Sequence, residues 1–383
     1  KGATEQAITY WNTALALSDK AEEIHHYLAD AYFELGEDEK ARKHYQSAWA
    51  QGRDEAMILH RLGEIAFRQK DPATALGLFS SLLEKMGEDD VWANRVSGLF
   101  VQYDYVDQGF IFLKNRLKTG TKPERLSKAM IKLYSAQATE AAQAEQWDKA
   151  ITAYQEILSL EPQHEQTLRD LGWIYWRKTA WHETEQTWLA YRTYYPNLPE
   201  PYRLLTRLYL QTKNYPEAIK MTQEGLKIFP DQPDLKLSLA KAQFWDHRFL
   251  EAKRSAETLA AAYPEHLPIQ FFWGELLIQY GDFERAKTQW EKVLALGSSA
   301  PRARYYFIRS LHETGAHADA VHQAKEMIAL HGPEKDLMRF LAQDATVRVA
   351  PQNALHWYRL LTRHYPEEIS YWLETSKIYQ QLG

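Results

Sequence analysis

The sequence predicts an all-α fold, an α-solenoid built from repeated helix–turn–helix units, and three periodic features carry this prediction. An anchor position recurs with a period of about 34 residues, the length of a known helical repeat, and nine of its eleven occurrences are alanine. Small residues stand twelve positions before many anchors, and prolines stand twelve positions after several of them. A fixed period is the signature of a repeat architecture in which each unit packs on its neighbours. The anchors are Ala7, Ala41, Ala75, Gly109, Ala150, Thr184, Ala218, Ala252, Ala286, Ala320 and Ala354.

The segment 147–162 shows the pattern of the second helix in each unit. Ala150, Tyr154 and Ile157 stand at i, i+4 and i+7 and so share one face of a helix. Pro162 cannot continue that helix and marks its end. The same position is filled in other units by Pro196, Pro230, Pro264 and Pro366.

The first helix of each unit is predicted from small residues that let its partner helix approach closely. They stand twelve positions before the anchor and are Ala29, Gly63, Ala138, Gly172, Ala240, Gly274 and Ala342. Large rings four positions after the anchor are expected to fill the space between neighbouring helices, and these are Trp11, Tyr45, Phe79, Tyr154, Trp188, Trp290 and Tyr358. We therefore interpret these rings as core residues.

The period, the small residues and the rings together resemble the tetratricopeptide repeat family, whose unit is a pair of helices joined by a turn. The resemblance covers the whole chain. It implies a right-handed superhelix in which the first helix of each unit lines a concave groove. It also implies a recognition surface more than an active site.

The repeats divide into two stretches, 1–122 and 123–383. In the first stretch the unit around Gly109 is degenerate, because Ser97 and Gly98 replace a clean small-residue contact. The next interval, from Gly109 to Ala150, exceeds the period by seven positions. Seven residues are close to two helical turns, and the segment 123–146 holds no glycine and no second proline. The insertion is therefore expected to lengthen helices, with regular repeats after it.

The two ends of the sequence fall inside repeat units. The segment 5–17 has the pattern of a second helix without its first helix, and 371–383 has the pattern of a first helix without its second. Terminal repeats usually carry polar caps. We expect a fragment of a longer array.

Composition narrows the classes of partner. The net charge of −5 and the pI of about 6.3 argue against general electrostatic binding of nucleic acid. The absence of cysteine excludes disulfides and thiol chemistry within this sequence. No run of about 18 apolar residues is present, so we expect no membrane contact.

No catalytic motif was found in the sequence, and we predict no enzyme activity, no cofactor and no metal site. Phosphate loops, nucleophile elbows and metalloprotease helix motifs are all missing. His25 and His26 are adjacent and would point about 100° apart on a helix. His312, His317 and His322 are spaced by five, which does not place two ligands on one helical face.

The candidate partner-binding residues are the basic and aromatic residues expected on the groove side of the central first helices. Arginine and tryptophan together can hold carboxylates and supply interface anchors. The alternative is that the rings pack between successive first helices and the arginines pair with acids of the next unit. The candidates are Arg169, Trp173, Trp176, Arg177, Arg203, Arg207, Lys241, Phe244, Trp245, Phe271, Tyr305 and Arg309.

Known recognition modes of this family are not matched. The clamp that grips chaperone carboxylates needs lysine and asparagine where this chain has His26, Asp30, His60 and Glu64. An asparagine ladder, as in glycosyltransferase-linked arrays, is missing as well. The sequence therefore matches neither of these two recognition modes.

The leading hypothesis is a non-catalytic scaffold whose groove binds a protein partner. In style the repeats resemble the periplasmic arrays of bacterial exopolysaccharide secretion, which implies a periplasmic location and an anionic polysaccharide as a further ligand. A cytoplasmic location is compatible with the sequence too. The alternatives are a substrate-recruiting or regulatory module of a larger enzyme, and a cytosolic assembly factor.

Overall fold

The structure consists of helices that follow one another in pairs joined by short turns. The computed structural model describes residues 2–17, 21–50, 55–87 and 89–382, and within these ranges it contains 22 helices and no strand. The chain forms two compact units, Lys1–Pro201 and Tyr202–Gly383. The predicted all-α repeat fold is confirmed. The division after residue 122 stays a prediction.

Unit 1 contains eleven helices in its described residues. They are α1 (Gly2–Leu17), α2 (Ala21–Leu35), α3 (Asp38–Ala50), α4 (Glu55–Arg68), α5 (Pro72–Lys85), α6 (Asp90–Gln102), α7 (Val106–Lys118), α8 (Pro123–Gln143), α9 (Trp147–Leu160), α10 (Glu165–Arg177) and α11 (Trp181–Tyr194).

Unit 2 begins within α12, and the first three residues of this helix belong to unit 1. Its helices in the described residues are α12 (Pro199–Gln211), α13 (Tyr215–Ile228), α14 (Pro233–Trp245), α15 (Phe249–Ala262), α16 (Leu267–Gln279), α17 (Phe283–Ala295), α18 (Pro301–Glu313), α19 (His317–His331), α20 (Lys335–Val347), α21 (Pro351–His364) and α22 (Ile369–Leu382). None of the helices in the described ranges is both long enough and apolar enough to cross a bilayer.

Helix boundaries follow the sequence signals, with one exception. Pro162 and Pro196 stand two residues beyond the ends of α9 and α11, as proline's missing N–H requires. The seven extra residues lie in α8, which has 21 residues where α10 has 13, so the insertion lengthens a helix. The predicted start of the first helix at residue 5 was wrong, because α1 begins at Gly2.

The small residues and the large rings predicted at separate positions meet each other inside one unit. A Cβ atom on Gly172 would lie 2.0 Å from Nε1 of Trp188, and one on Gly63 would lie 2.1 Å from Cε1 of Phe79. Both rings are fully buried. Glycine in the first helix is therefore required by the ring that its partner helix carries.

In another repeat the larger residue lies on the first helix and the smaller one on the second. Four residues after its anchor, α19 carries Ala324, and the first helix α18 carries the larger Ile308 twelve residues before that anchor. Both side chains belong to the same buried cluster. Close packing disfavours both a void and an overlap at such a site, so in these repeats a small residue on one helix is matched by a larger residue on the other.

The degenerate unit around Gly109 has its own packing. A Cβ atom on Gly109 would lie 2.9 Å from Cγ of Phe100, which explains glycine at an anchor that is usually alanine. The Tyr103 hydroxyl donates to the buried Glu64 at 3.1 Å and accepts from Nε of Arg68 at 3.2 Å. Tyr103 of this repeat thus donates a hydrogen bond to a buried carboxylate.

In each described repeat, a residue with left-handed backbone geometry lies in the turn between the two helices, five residues before the anchor. In the turn after α10, Thr179 has a φ of 55°, and the N–H of Ala180 donates to the carbonyl of Tyr175 at 2.9 Å. This bond closes the helix in a Schellman motif. Seven of these ten residues are not glycine, and φ ranges from 55° to 84° over Gly36, Lys70, Asp104, Glu145, Thr179, Lys213, His247, Gly281, Gly315 and Val349.

Candidate functional site

The predicted groove residues of unit 1 lie on α10 and are held by neighbouring groups. Nε of Arg169 lies 3.3 Å from the Asp170 carboxylate, and its Nη1 lies 3.9 Å from that of Glu200. Arg177 is exposed, and its guanidinium carbon lies 5.8 Å from the centre of the Trp147 ring. Of these two arginines, Arg169 is the one held by carboxylates, so Arg177 presents the more available charge.

Trp173 and Trp176 surround the buried ring of Trp188. Their ring centroids lie 5.2 Å and 5.8 Å from that of Trp188, and Trp176 also contacts Trp181 edge-on at 5.2 Å. Both rings are half-buried. Their contacts favour packing of these rings within the pair α10 and α11.

In unit 2, the first helices of successive repeats are linked by ion pairs. Arg203 on α12 lies 3.4 Å from the carboxylate of Asp234 on α14, and His266 at the start of α16 lies 3.5 Å from the same carboxylate. Arg203 and Asp234 are about half exposed, at 52% and 45%. Surface pairs of this kind contribute about 0–1 kcal/mol to stability.

A second set of charges lies deeper between α14, α16 and α18. The carboxylate of Glu275 lies 3.2 Å from Nη2 of Arg302. Burial raises the pKa of Glu275, although Arg302 and Lys241 favour its charged form. Burial likewise lowers the pKa of Lys241, and Glu275 and Asp234 counteract that shift. Lys241 is therefore held between two acids and is the least available of the predicted cations in unit 2.

The predicted aromatic residues of unit 2 differ in how much surface they present. Phe244 is half-buried against Phe249 and Phe272, at centroid distances of 5.6 Å and 6.4 Å. Trp245 packs edge-on against Phe244 at 5.2 Å but leaves 54% of its surface exposed.

The two remaining predicted rings of unit 2 are half-buried. Phe271 contacts the buried Trp290 edge-on at 5.0 Å, and Tyr305 lies 5.9 Å from Tyr306. Trp245 is thus the large ring most accessible to a partner among the predicted residues.

Three arginines and one tryptophan define the first-helix face of unit 2 that is open to solvent: Arg203, Arg207, Arg309 and Trp245. Arg309 lies on α18, with its guanidinium carbon 5.8 Å from the centre of the Phe283 ring. Cation–π contacts at exposed sites contribute about 0.5–1 kcal/mol. This face offers donors for carboxylates beside an apolar ring.

One acidic residue of this face was not among the predicted site residues. Asp234 stands 18 residues before the anchor Ala252, as the first-helix residue Arg302 stands 18 residues before the anchor Ala320. Weighing acids together with bases at that offset would have identified it. The structure places Asp234 between Arg203 and His266, so part of the predicted basic character is neutralised within the chain.

The histidines of unit 2 lie differently from the sequence expectation. His312 is at the end of α18 and His317 is the first residue of α19, so a turn separates them and single-helix spacing does not apply. Their ring centroids are 4.6 Å apart. Asp344 of α20 completes a cluster in which one ligand atom from each residue lies within 4.8 Å of the others.

Comparison with known proteins identifies repeats in both units. A family model described as "Tetratricopeptide repeat" matches residues 1–56, 28–90, 135–183 and 273–331, together just over half of the chain. No curated protein matches the sequence.

The solved structures that match this chain have low sequence identity to it. A MamA protein is 17% identical over 44% of this chain and 91% of its own, with a TM-score of 0.38. PilF of Pseudomonas aeruginosa is 12% identical over 57% of this chain and 99% of its own, with a TM-score of 0.46. Yeast Tom70 is 16% identical over 100% of this chain and 93% of its own, with a TM-score of 0.43.

Proposed function

Because the chain belongs to the tetratricopeptide repeat family, whose repeats form protein-interaction scaffolds, we propose that its first-helix face in unit 2 binds a partner protein. The partner carries acidic side chains for the arginines and an apolar side chain for the tryptophan. The chain performs no catalysis in this role and needs no cofactor. The observation that carries the proposal is the exposure of Trp245 together with Arg203, Arg207 and Arg309 on one set of first helices.

The arginines of this face can form ion pairs with a partner at a small cost in free energy. Arg203 and Asp234 are both about half exposed, so their pair contributes little to stability. A carboxylate of a partner can accept a bidentate hydrogen bond from the same guanidinium. Binding then exchanges one weak pair for a better one, and the released Asp234 still faces His266.

The exposed indole of Trp245 supplies the apolar part of the interaction. Tryptophan and arginine are enriched among the residues that dominate binding energy. Trp245 is supported from behind by Phe244, whose own ring rests on Phe249 and Phe272. The indole is therefore supported by a packed group of rings, which lowers the entropy cost of binding.

The predicted residues of unit 1 are proposed as a separate interaction surface. Arg169, Trp173, Trp176 and Arg177 lie on one helix, and all four keep part of their surface open to solvent. In the proposal Phe244 supports the exposed Trp245, while the half-buried Lys241, Phe271 and Tyr305 offer the partner the part of their surface that stays accessible.

The test is a charge reversal with a matched control on the other helix of the same repeat. Arg203→Glu with Arg207→Glu changes two residues of α12, and Lys220→Glu with Lys227→Glu changes two exposed residues of α13. Both double variants alter the net charge equally. Wild type and both variants are used to capture proteins from a lysate of the source organism, and quantitative mass spectrometry compares what each retains.

We expect a partner that wild type and the α13 variant retain and the α12 variant loses. Equal retention by all three forms rejects the first-helix face as the binding site. Circular dichroism and thermal unfolding establish that the α12 variant is folded, which is expected because both arginines are exposed.

An anionic polysaccharide is the second candidate ligand of this face, since arginine and an exposed indole also suit sugar acids. The same three proteins are titrated with alginate as a polyanionic probe. Binding that the α12 variant alone loses, in the absence of a protein partner, favours this ligand and the periplasmic export role that the repeat style implies. A fused catalytic domain in the parent gene would instead favour a recruiting module of an enzyme.

A further inference from the structure

We propose that His312, His317 and Asp344 bind a divalent first-row transition metal ion such as Zn²⁺. The three residues come from three successive helices, α18, α19 and α20. One ring nitrogen of each histidine and one carboxylate oxygen lie within 4.8 Å of one another. Two imidazoles and a carboxylate are a ligand set that proteins use for zinc and related metals.

The distances are close to those of a metal site. Ligand atoms at about 2.0–2.2 Å from a tetrahedral Zn²⁺ stand about 3.3–3.6 Å from each other. Nε2 of His312 lies 3.8 Å from Oδ1 of Asp344, so this pair needs almost no movement. The remaining separations are at most 4.8 Å and close by small rotations of the side chains.

His317 has a lone pair or N–H that the protein does not use. Its Nδ1 atom is buried and has no hydrogen-bond partner among the described residues. A buried polar atom without a partner costs free energy. If His317 coordinates a metal through one nitrogen, the imidazole gains a bond that the protein alone does not supply.

The carboxylate of Asp344 is already oriented. Its side chain is 9% exposed, and Nε of Arg348, one turn later on the chain, lies 3.0 Å from Oδ1 and 2.9 Å from Oδ2. Hydrogen bonds to the second oxygen of a ligating carboxylate hold it in the position required for the metal. Arg348 is itself 46% exposed and can yield one contact without becoming buried.

A metal ion and solvent ligands have access to the cluster. His312, His317 and Asp344 line one cleft with a volume of about 740 Å³, together with Phe340 and Val347. Three protein ligands leave a fourth position for water. The imidazole nitrogens favour Zn²⁺, Co²⁺, Ni²⁺ or Cu²⁺ over Mg²⁺ or Ca²⁺, which prefer oxygen ligands.

The test compares two variants with a histidine control from the same sequence series. His312→Ala with His317→Ala removes two ligands, and Asp344→Asn keeps the shape of the third. His322→Ala is the control, because His322 lies on α19 as well but is 69% exposed and pairs with Glu326. Each protein is titrated with Zn²⁺ by calorimetry, and with Co²⁺ by visible absorption.

We expect one Zn²⁺ per chain at this site for wild type and for the His322 variant, with a tetrahedral Co²⁺ spectrum. The double histidine variant and Asp344→Asn should each bind at least about tenfold more weakly, since even loss of an outer partner costs that much. The thermal unfolding midpoint should rise with Zn²⁺ only in the proteins that bind it.

Two results overturn the proposal. One is a wild-type protein that shows neither a heat of Zn²⁺ binding in calorimetry nor the visible absorption of tetrahedral Co²⁺. The other is a double histidine variant that is folded by circular dichroism and binds Zn²⁺ as tightly as the His322 variant, since the metal would then sit elsewhere in the chain.

Discussion

Gly172 on α10 and Trp188 on α11 occupy adjoining space so closely that a single methyl group on Gly172 would lie 2.0 Å from Nε1 of the indole. The same indole N–H donates to the carbonyl of Arg169 at 3.5 Å, and the ring is fully buried. The tryptophan is thus held on one side by the backbone of the helix that it packs against.

Replacing Gly172 with alanine should destabilise unit 1 by about 1–3 kcal/mol, the usual cost of overpacking a core. In a Trp188→Leu background the cost of the same change should be smaller, because the leucine leaves room for the methyl group. Urea unfolding of the four proteins of this cycle measures the coupling.

Gly77→Ala is the matched control for this substitution. Gly77 lies on α5, is exposed, and a Cβ atom there would meet nothing within 4 Å. Alanine should therefore stabilise that helix by about 0.5–1 kcal/mol. Equal effects at both glycines would contradict the packing argument.

Val349→Gly should stabilise the protein by about 1 kcal/mol, because the left-handed conformation costs about 1–2 kcal/mol for a residue with a side chain and little for glycine. Val349 is a β-branched residue with a φ of 55°, in a turn where the N–H of Ala350 donates to the carbonyl of Ala345. Thermal unfolding of the variant beside wild type measures the gain.

The same substitution two residues earlier is the control for Val349. Val347 is exposed like Val349, but it is the last residue of α20 and has helical geometry. Val347→Gly should therefore lower the thermal unfolding midpoint, while Val349→Gly raises it. Two changes of the same sign would show that strain in the turn is not the cause.

Stability should fall as the pH decreases from 7 to 5, partly because of His60. Burial lowers the pKa of His60 to about 4, and Glu64 opposes this shift only in part. Both ring nitrogens lack hydrogen-bond partners among the described residues. Because the folded pKa lies below the unfolded value of about 6.5, the unfolded chain binds more protons between those values, and this group contributes a loss of about 2 kcal/mol at pH 5.

His60→Phe should remove that part of the pH dependence. Urea unfolding at pH 7 and pH 5 gives the difference for wild type and for the variant. The exposed His322→Ala is the control, and its loss of stability between the two pH values should equal that of wild type. A His60→Phe variant with the full loss would place the cause elsewhere.

Trp245→Ala should weaken binding of the partner protein by about 2 kcal/mol, the size of effect typical of an interface hot spot. This prediction rests on the proposed function. The unfolding midpoint should change little, because 54% of the ring is exposed. Trp372→Ala removes a ring that is 52% exposed on α22, and surface plasmon resonance should show no change in affinity for that variant.

The repeat fold could be predicted from the sequence because its determinants are local and periodic. The anchor Ala150 and the pair Gly172 and Trp188 recur at fixed spacing, so each unit confirms the others. The lengthening of α8 followed from an insertion without helix breakers. These features depend on residue type and spacing within one repeat, which can be read directly from the sequence.

The candidate sites could be predicted only in part. The left-handed turn residues escaped prediction since Thr179 and Val349 are types that avoid this conformation. The cluster of His312, His317 and Asp344 depends on a turn and on a residue of the next unit. Spacing within one helix cannot show such a meeting.

The fit between small and large residues limits how repeats can be exchanged within this chain. Gly172 suits Trp188, and Ile308 shares a cluster with Ala324. A second helix moved alone from one of these units to the other would bring either a clash or a cavity. A segment one full period long that begins and ends between repeats would keep the two matching residues together. Such an array can therefore gain, lose or exchange whole helix pairs, whereas a single helix fits only the partner helix of its own repeat.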